Sequence, residues 1–358
     1  MSILPSPPSS PIETASRKRS YSISFIQNET SQEPIKKHPK MNTTLLKLYL
    51  EKHASPNTCD QTYHRSLLSW ACMDQSIDSV KQLLQCVQLD INLSSGPNHT
   101  TALHEACLSG FTSGVELLLQ HPDIDVNKPD CQGRTAVHYA AQLNQLGCLK
   151  LLSGHARLDI SDSHGQLPIH TATLYGHSRC VQLLLECNPS NQIDLITTVN
   201  PIDQRDTLEL AIVMGNSHTL TLLLNALSDQ PKRSGLVSLA VEWNRIECLQ
   251  LLLQHGYPID DSSLLTAVQQ RKIDIVRLLV NAGARACLSM GRNPSLLYAA
   301  NHGFLEMVPL LMTLDTSKDC IQQALILAST ISLRDQLSRV IIHTLNRLKE
   351  KEQSISMK

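Results

Sequence analysis

One alanine returns along most of this chain at a spacing close to 33 residues, at Ala71, Ala106, Ala140, Ala172, Ala211, Ala240, Ala267, Ala299 and Ala328. Successive separations are 35, 34, 32, 39, 29, 27, 32 and 29 residues. A period of this length means a row of small supersecondary units, each too thin to bury its own apolar face and therefore stacked on the next. Nine residues after the alanine stands Val80, Val115, Leu149, Val181, Leu220, Leu249, Val276, Val308 or Leu337. From Ala106 to Ala299, positions eleven and twelve after it are both leucine, as in Leu117/Leu118 and Leu278/Leu279. Four residues after the alanine, Gly or Asn occupies six of the nine repeats (Gly110, Asn144, Gly176, Gly215, Asn244, Gly303). These two residues most readily take the left-handed conformation that ends a helix. Each repeat therefore reads as a short helix, a tight turn and a second helix with a leucine face, an all-α stack.

The most regular copies carry Thr101-Ala-Leu-His104-x-Ala106, Thr135-Ala-Val-His138-x-Ala140 and Leu167-Pro-Ile-His170-x-Ala172, with Asp-x-x-Gly at Asp130–Gly133 and Asp162–Gly165. This pattern resembles the ankyrin repeat over roughly residues 62–345. It departs from the pattern where Arg271 and Ser332 stand at the turn position and where the later repeats lack the histidine. The resemblance implies an ankyrin solenoid with short hairpin loops. Spacings of 27–29 predict clipped hairpins, and the gap of 39 predicts an insertion near 186–205. The expected organisation is a disordered Ser/Pro-rich tail over 1–41, a capping helix and linker over 42–61, and a stack of about eight repeats over 62–318. A capping helix pair over 319–348 and a frayed end over 349–358 follow.

Composition bounds the chemistry. Net charge is −1, with six Lys and Arg against three Glu in residues 1–40, leaving 25 basic against 29 acidic side chains beyond them. No global field for a polyanion exists. Eleven cysteines form no CxxC pair, and several sit where a small apolar side chain suits helix packing. With no signal peptide and no apolar run near 18 residues, a reduced cytoplasmic and/or nuclear setting is expected, with no membrane span. No GxSxG, GxxxxGK[ST], HExxH or kinase signature occurs, so no catalytic residue, cofactor or metal is expected. Spaced one per repeat, His104, His138 and His170 lie too far apart for one zinc ion. In ankyrin repeats this imidazole bridges backbone groups of neighbouring repeats, and the resemblance implies that structural role here.

The resemblance also implies a concave face. The two residues after the Ala-Ala pair point into it, and in the middle repeats these are apolar or aromatic: Leu143, Leu174, Tyr175, Val213, Met214 and Trp243. Two readings stand for this stripe, an anchor for a protein partner or packing against the next repeat and the insertion. The groove positions hold no Lys or Arg, which argues against direct nucleic-acid binding. Oligomeric state stays open. In the tail, Arg17, Lys18 and Arg19 with Lys36, Lys37 and Lys40 read either as an import signal or as a solvated basic tail. Ser6, Ser10 and Ser22 are candidate phosphorylation sites, and a phosphate on Ser22 would offset the neighbouring arginines.

The expected function is a non-catalytic scaffold or regulatory adaptor that binds a partner protein. The alternatives are a substrate-recruiting adaptor of a ubiquitin ligase or other enzyme complex, and a nucleus-shuttling regulator of a transcription factor. A modifiable tail joined to ankyrin repeats is similar to the inhibitors of Rel-type transcription factors.

Overall fold

The computed structural model describes residues 55–61, 63–284, 294–312, 318–328 and 331–356. The expectations placed on residues 1–54 lie outside them: the tail, the capping helix, the basic clusters and the candidate phosphorylation sites. The chain divides into two compact bodies, residues 1–207 and 208–358. Among the described residues the secondary structure is helical, with two isolated β-bridges, Cys59 to Ser66 and Ser95 to Thr100.

The first body holds four helix pairs: α1 Leu67–Met73 and α2 Ile77–Leu84, α3 Ala102–Ser109 and α4 Thr112–Leu119, α5 Ala136–Gln142 and α6 Leu146–Leu152, α7 Pro168–Leu174 and α8 Ser178–Glu186. First helices pack on first helices (α1 on α3, α3 on α5, α5 on α7) and second on second (α2 on α4, α4 on α6, α6 on α8). The segment expected as an insertion contains a 3₁₀ turn at Pro189–Asn191 and α9, Gln192–Thr197. Leu195 and Ile196 of α9 are buried, whereas Ile193 is exposed.

The second body contains α10 Thr207–Met214, which starts on the last residue of the first. It continues with α11 Ser217–Ala226, α12 Leu236–Glu242, α13 Ile246–Gln254, α14 Asp261–Gln269 and α15 Ile273–Asn281. After these come α16 Pro294–Asn301, α17 Val308–Leu311, α18 Lys318–Leu327 and α19 Ile331–Ser356. The same neighbour rule holds, with α12 on α14, α14 on α16, α16 on α18, and α15 on α17, α17 on α19. The last helix runs 26 residues to Ser356, so residues 349–356 extend it where fraying was expected.

The repeat pattern maps directly onto burial. All nine anchor alanines are at most 4% exposed, and all nine residues nine positions later are at 0%. At the leucine pair, the second member (Leu118, Leu152, Leu184, Leu223, Leu252, Leu279, Leu311) is buried and the first is half-buried. A small Cβ at the anchor lets adjacent first helices approach. Each buried leucine then contributes roughly 1.5–3 kcal/mol through removal from water. The turns behave as their residues require. Gly110, Asn144, Gly176, Gly215, Asn244 and Gly303 all have positive φ, and Gln75 and Arg271 adopt it too, at 56° and 55°.

Candidate protein-binding face

Three histidines set the frame on which this face is built. The Nδ1 atoms of His104, His138 and His170 each accept the backbone N–H three residues back (Thr101, Thr135 and Leu167), at 3.1 Å in every case. With Nδ1 an acceptor, Nε2 carries the proton and donates to a backbone carbonyl of the segment that follows the helix pair. The acceptors are Arg134 at 3.0 Å, Gln166 at 3.0 Å and Thr198 at 3.1 Å. Both ring nitrogens of each histidine are thus spent on backbone, which leaves no lone pair to offer a metal ion. Burial pushes all three imidazoles towards neutrality, against the partial support of the backbone acceptor; His104 and His170 come down to about 4.

The hairpins are pinned by acidic or amide side chains. Asp130 Oδ1 accepts the N–H groups of Gln132 and Arg134, both at 2.8 Å. Its Oδ2 accepts Tyr139 Oη at 2.8 Å and Arg134 Nε at 3.0 Å. Burial raises the Asp130 carboxyl, but the Tyr139 hydroxyl and the Arg134 backbone and charge outweigh it and hold it below the usual carboxylate range. Asp162 repeats the arrangement with the N–H groups of His164 and Gln166. After α9, Asn200 stands in for the aspartate: its Oδ1 accepts Ile202 N at 2.8 Å, and its N–H reaches Arg205 O. The insertion is therefore a helix placed ahead of an otherwise ordinary hairpin. With the helix in place, His170 reaches Thr198, just before that hairpin. Successive tips are joined by backbone alone, Gly96 N to His64 O, Cys131 N to Asn98 O and Ser163 N to Gln132 O.

At the other end of the first helices, C-terminal carbonyls accept side-chain bonds from the following repeat. Ser109 Oγ donates to Cys72 O at 3.1 Å, and His177 Nε2 donates to Gln142 O at 3.0 Å. Arg245 gives Val213 O two bonds, at 2.9 and 2.7 Å, and Gln270 Nε2 reaches Glu242 O at 3.4 Å. No single residue type marks this capping role in the sequence. The signal was present as a polar side chain three to five positions after each anchor alanine, but its chemistry changes from Ser to His to Arg to Gln.

The stripe expected to carry a partner divides under this geometry. Leu143, which ends α5, is 39% exposed. Tyr175 ends α7 half-buried, its hydroxyl accepting Gln142 Nε2 at 2.9 Å and its ring stacked on His177. In the second body Met214 and Trp243 are half-buried at the ends of α10 and α12. Leu174 and Val213 are buried, at 7% and 1% exposed. Each lies one residue earlier on its helix, and the 100° step per residue turns it into the core.

A frame of paired helices, hairpins pinned by Asp or Asn and histidines bridging repeats defines a repeat protein of the ankyrin class. Family comparison agrees: the ankyrin repeat model matches residues 38–130, 123–198 and 237–324, and the chain belongs to the ankyrin-repeat family. It is similar to a B-cell lymphoma 3 protein homolog of Mus musculus, 32% identical over 151 residues, 39% of this chain and 33% of that protein. A putative E3 ubiquitin-protein ligase, XBAT31 of Arabidopsis thaliana, is 25% identical over 156 residues, 43% of this chain and 31% of that protein. The chain spans a third or less of the curated relatives it matches first. Among solved structures, the ankyrin repeat domain of Bcl-3 aligns with a TM-score of 0.51 at 24% identity, covering 60% of this chain and 98% of that one. Among the described residues, no helix is long and apolar enough to cross a membrane.

Proposed function

We propose that this chain is a non-catalytic interaction module, a scaffold or regulatory adaptor that holds a partner protein at the C-terminal ends of its first helices. The observation that supports this reading most is the contrast at α5 and α7. Backbone groups there are capped across repeats, while Leu143 and the edge of Tyr175 remain open to solvent. Apolar and aromatic side chains standing on a rigid polar frame are the composition of binding hot spots. Met214 and Trp243 extend the proposal to the second body.

The test uses two variants, Leu143→Ala/Tyr175→Ala and Met214→Ala/Trp243→Ala, with helicity by circular dichroism required to match wild type. Specific partners captured from cell extract by wild type and lost with either variant would support the face. Identical capture by all three proteins would assign these side chains to packing.

A more specific version, a regulator that enters the nucleus and binds a transcription factor, is favoured by the similarity to the B-cell lymphoma 3 homolog together with the basic tail clusters. It requires that Arg17→Ala/Lys18→Ala/Arg19→Ala shift a fluorescent fusion out of the nucleus. An unchanged distribution counts against it. The similarity to a ubiquitin ligase keeps substrate recruitment as the alternative.

A further inference from the structure

Pro309 breaks the rhythm of the second helices. In the preceding repeats the second helix starts two residues after the left-handed turn, at Ser217, Ile246 and Ile273, and runs nine or ten residues. After Gly303 it starts only at Val308 and lasts four residues, α17, with Pro309 as its second residue. Proline has no N–H to donate and its ring clashes with the preceding turn, so it is tolerated only at a helix start. In place of a helical turn, residues 305–307 form a tight turn closed by Met307 N to Phe304 O.

What a helical turn there would have covered is open. A hollow of about 700 Å³ lies between α17 and α19, with Leu305, Pro309 and Leu310 on one side and Val340, Thr344 and Leu348 on the other. A second, of about 580 Å³, adjoins it through Leu305 and Glu306 and reaches Arg271 and Phe304. The wall on α19 is made of two parallel rows spaced by four residues. One is Val340, Thr344 and Leu348, and beside it runs Arg339, His343 and Arg347. Arg339 and Arg347 are exposed, with no hydrogen bond or ion pair among the described residues. At the far end the Arg271 guanidinium lies 4.7 Å over the Phe304 ring. One carboxylate, Glu306, lines both hollows.

We infer that this hollow is a second docking site, separate from the helix-end face, and that it takes an acidic amphipathic helix from another protein. The apolar row matches the i, i+3, i+4, i+7 side of such a helix, and the arginine row matches carboxylates on its flank. Charge complementarity selects this occupant: a basic helix would set like charges beside Arg339 and Arg347, and a neutral one would gain nothing from them.

The probe is a fluorescein-labelled 18-residue amphipathic peptide with leucine on one face and glutamate elsewhere, compared with a twin carrying lysine for glutamate. Full-length protein should bind the Glu peptide and not the Lys peptide by fluorescence anisotropy. The affinity should fall with salt and drop about tenfold or more in Arg339→Glu/Arg347→Glu, as expected for reversal of rim charges. Both arginines are exposed, so the variant should keep wild-type circular dichroism. A photo-crosslinker in place of Leu310 then reports the occupant directly. Adducts to the Glu peptide support the site. Equal binding of the two peptides, unchanged binding by the double variant, or adducts only to a second copy or to residues 1–54 would overturn it. Loss of partners at Leu143 and Tyr175 leaves this result untouched, because the peptide reports on the second body alone.

Discussion

At the scale of single residues, the buried histidines make the strongest quantitative statement. An imidazole titrates near 6.5 in the unfolded chain, and His104 and His170 titrate near 4 when folded. Between these values the unfolded state binds protons that the folded state does not, so stability falls as pH drops from 6.5 towards 4 and is flat above 7. Each site contributes up to ~3 kcal/mol over that window. Urea titrations at pH 7.5 and 5 should show the loss, and His170→Gln should shrink it while costing about 1–3 kcal/mol at pH 7.5. Asp130, held low, adds a further loss only below about pH 4. Glycine positions separate strain from contact. Gly165 has φ +72° and an added Cβ would meet Pro201 Cδ at 2.4 Å, whereas at Gly235, φ +92°, nothing lies within 4 Å. Gly235→Ala should therefore cost about 1 kcal/mol of backbone strain, and Gly165→Ala about 2–3 kcal/mol by thermal unfolding.

These residues also show how far the chain could be read in advance. The histidines, the anchor alanines and the Gly/Asn turns were legible because each serves a backbone geometry that few side chains can satisfy. Gln75 and Arg271 take the same left-handed turn without announcing it; Gln75 donates to Ser109 O and Arg271 stacks on Phe304, contacts visible only in three dimensions. For Leu174 and Val213 both readings stood open, because repeat register gives a position along the helix, while a single 100° step decides burial.

At the scale of elements, the carbonyl caps between first helices set the precision of the proposed face. Arg245 spends its guanidinium on Val213 O, at the end of α10 beside Met214. Arg245→Ala should cost about 1–2 kcal/mol, and amide exchange should quicken at the C-terminal end of α10 before it does in α14. The 39-residue spacing announced an insertion, but α9 was not legible within it. QIDLIT is too short to show a helical period, and its helix is held by burial of Leu195 and Ile196.

At the scale of the whole molecule, each repeat touches mainly its neighbours, so stability should behave as a sum of local terms and not as one cooperative core. Leu337, fully buried on α19, should cost about 2–5 kcal/mol when changed to alanine. Hydrogen exchange should place the lost protection in α17–α19 and leave α3–α6 at wild-type rates. Uniform loss across the chain would contradict the local-sum description.

The joints between hairpin tips involve main-chain atoms only: Gly96 N with His64 O, Cys131 N with Asn98 O, Ser163 N with Gln132 O. A joint that ignores side chains places no demand on their identity. The side chains of Cys131 and His164 stand exposed at these tips and take no part in the joints. Such positions form an alphabet that mutation can rewrite while the spine stays fixed, and a library randomised at Cys131 and His164 should keep wild-type melting temperatures while its members diverge in what they recognise.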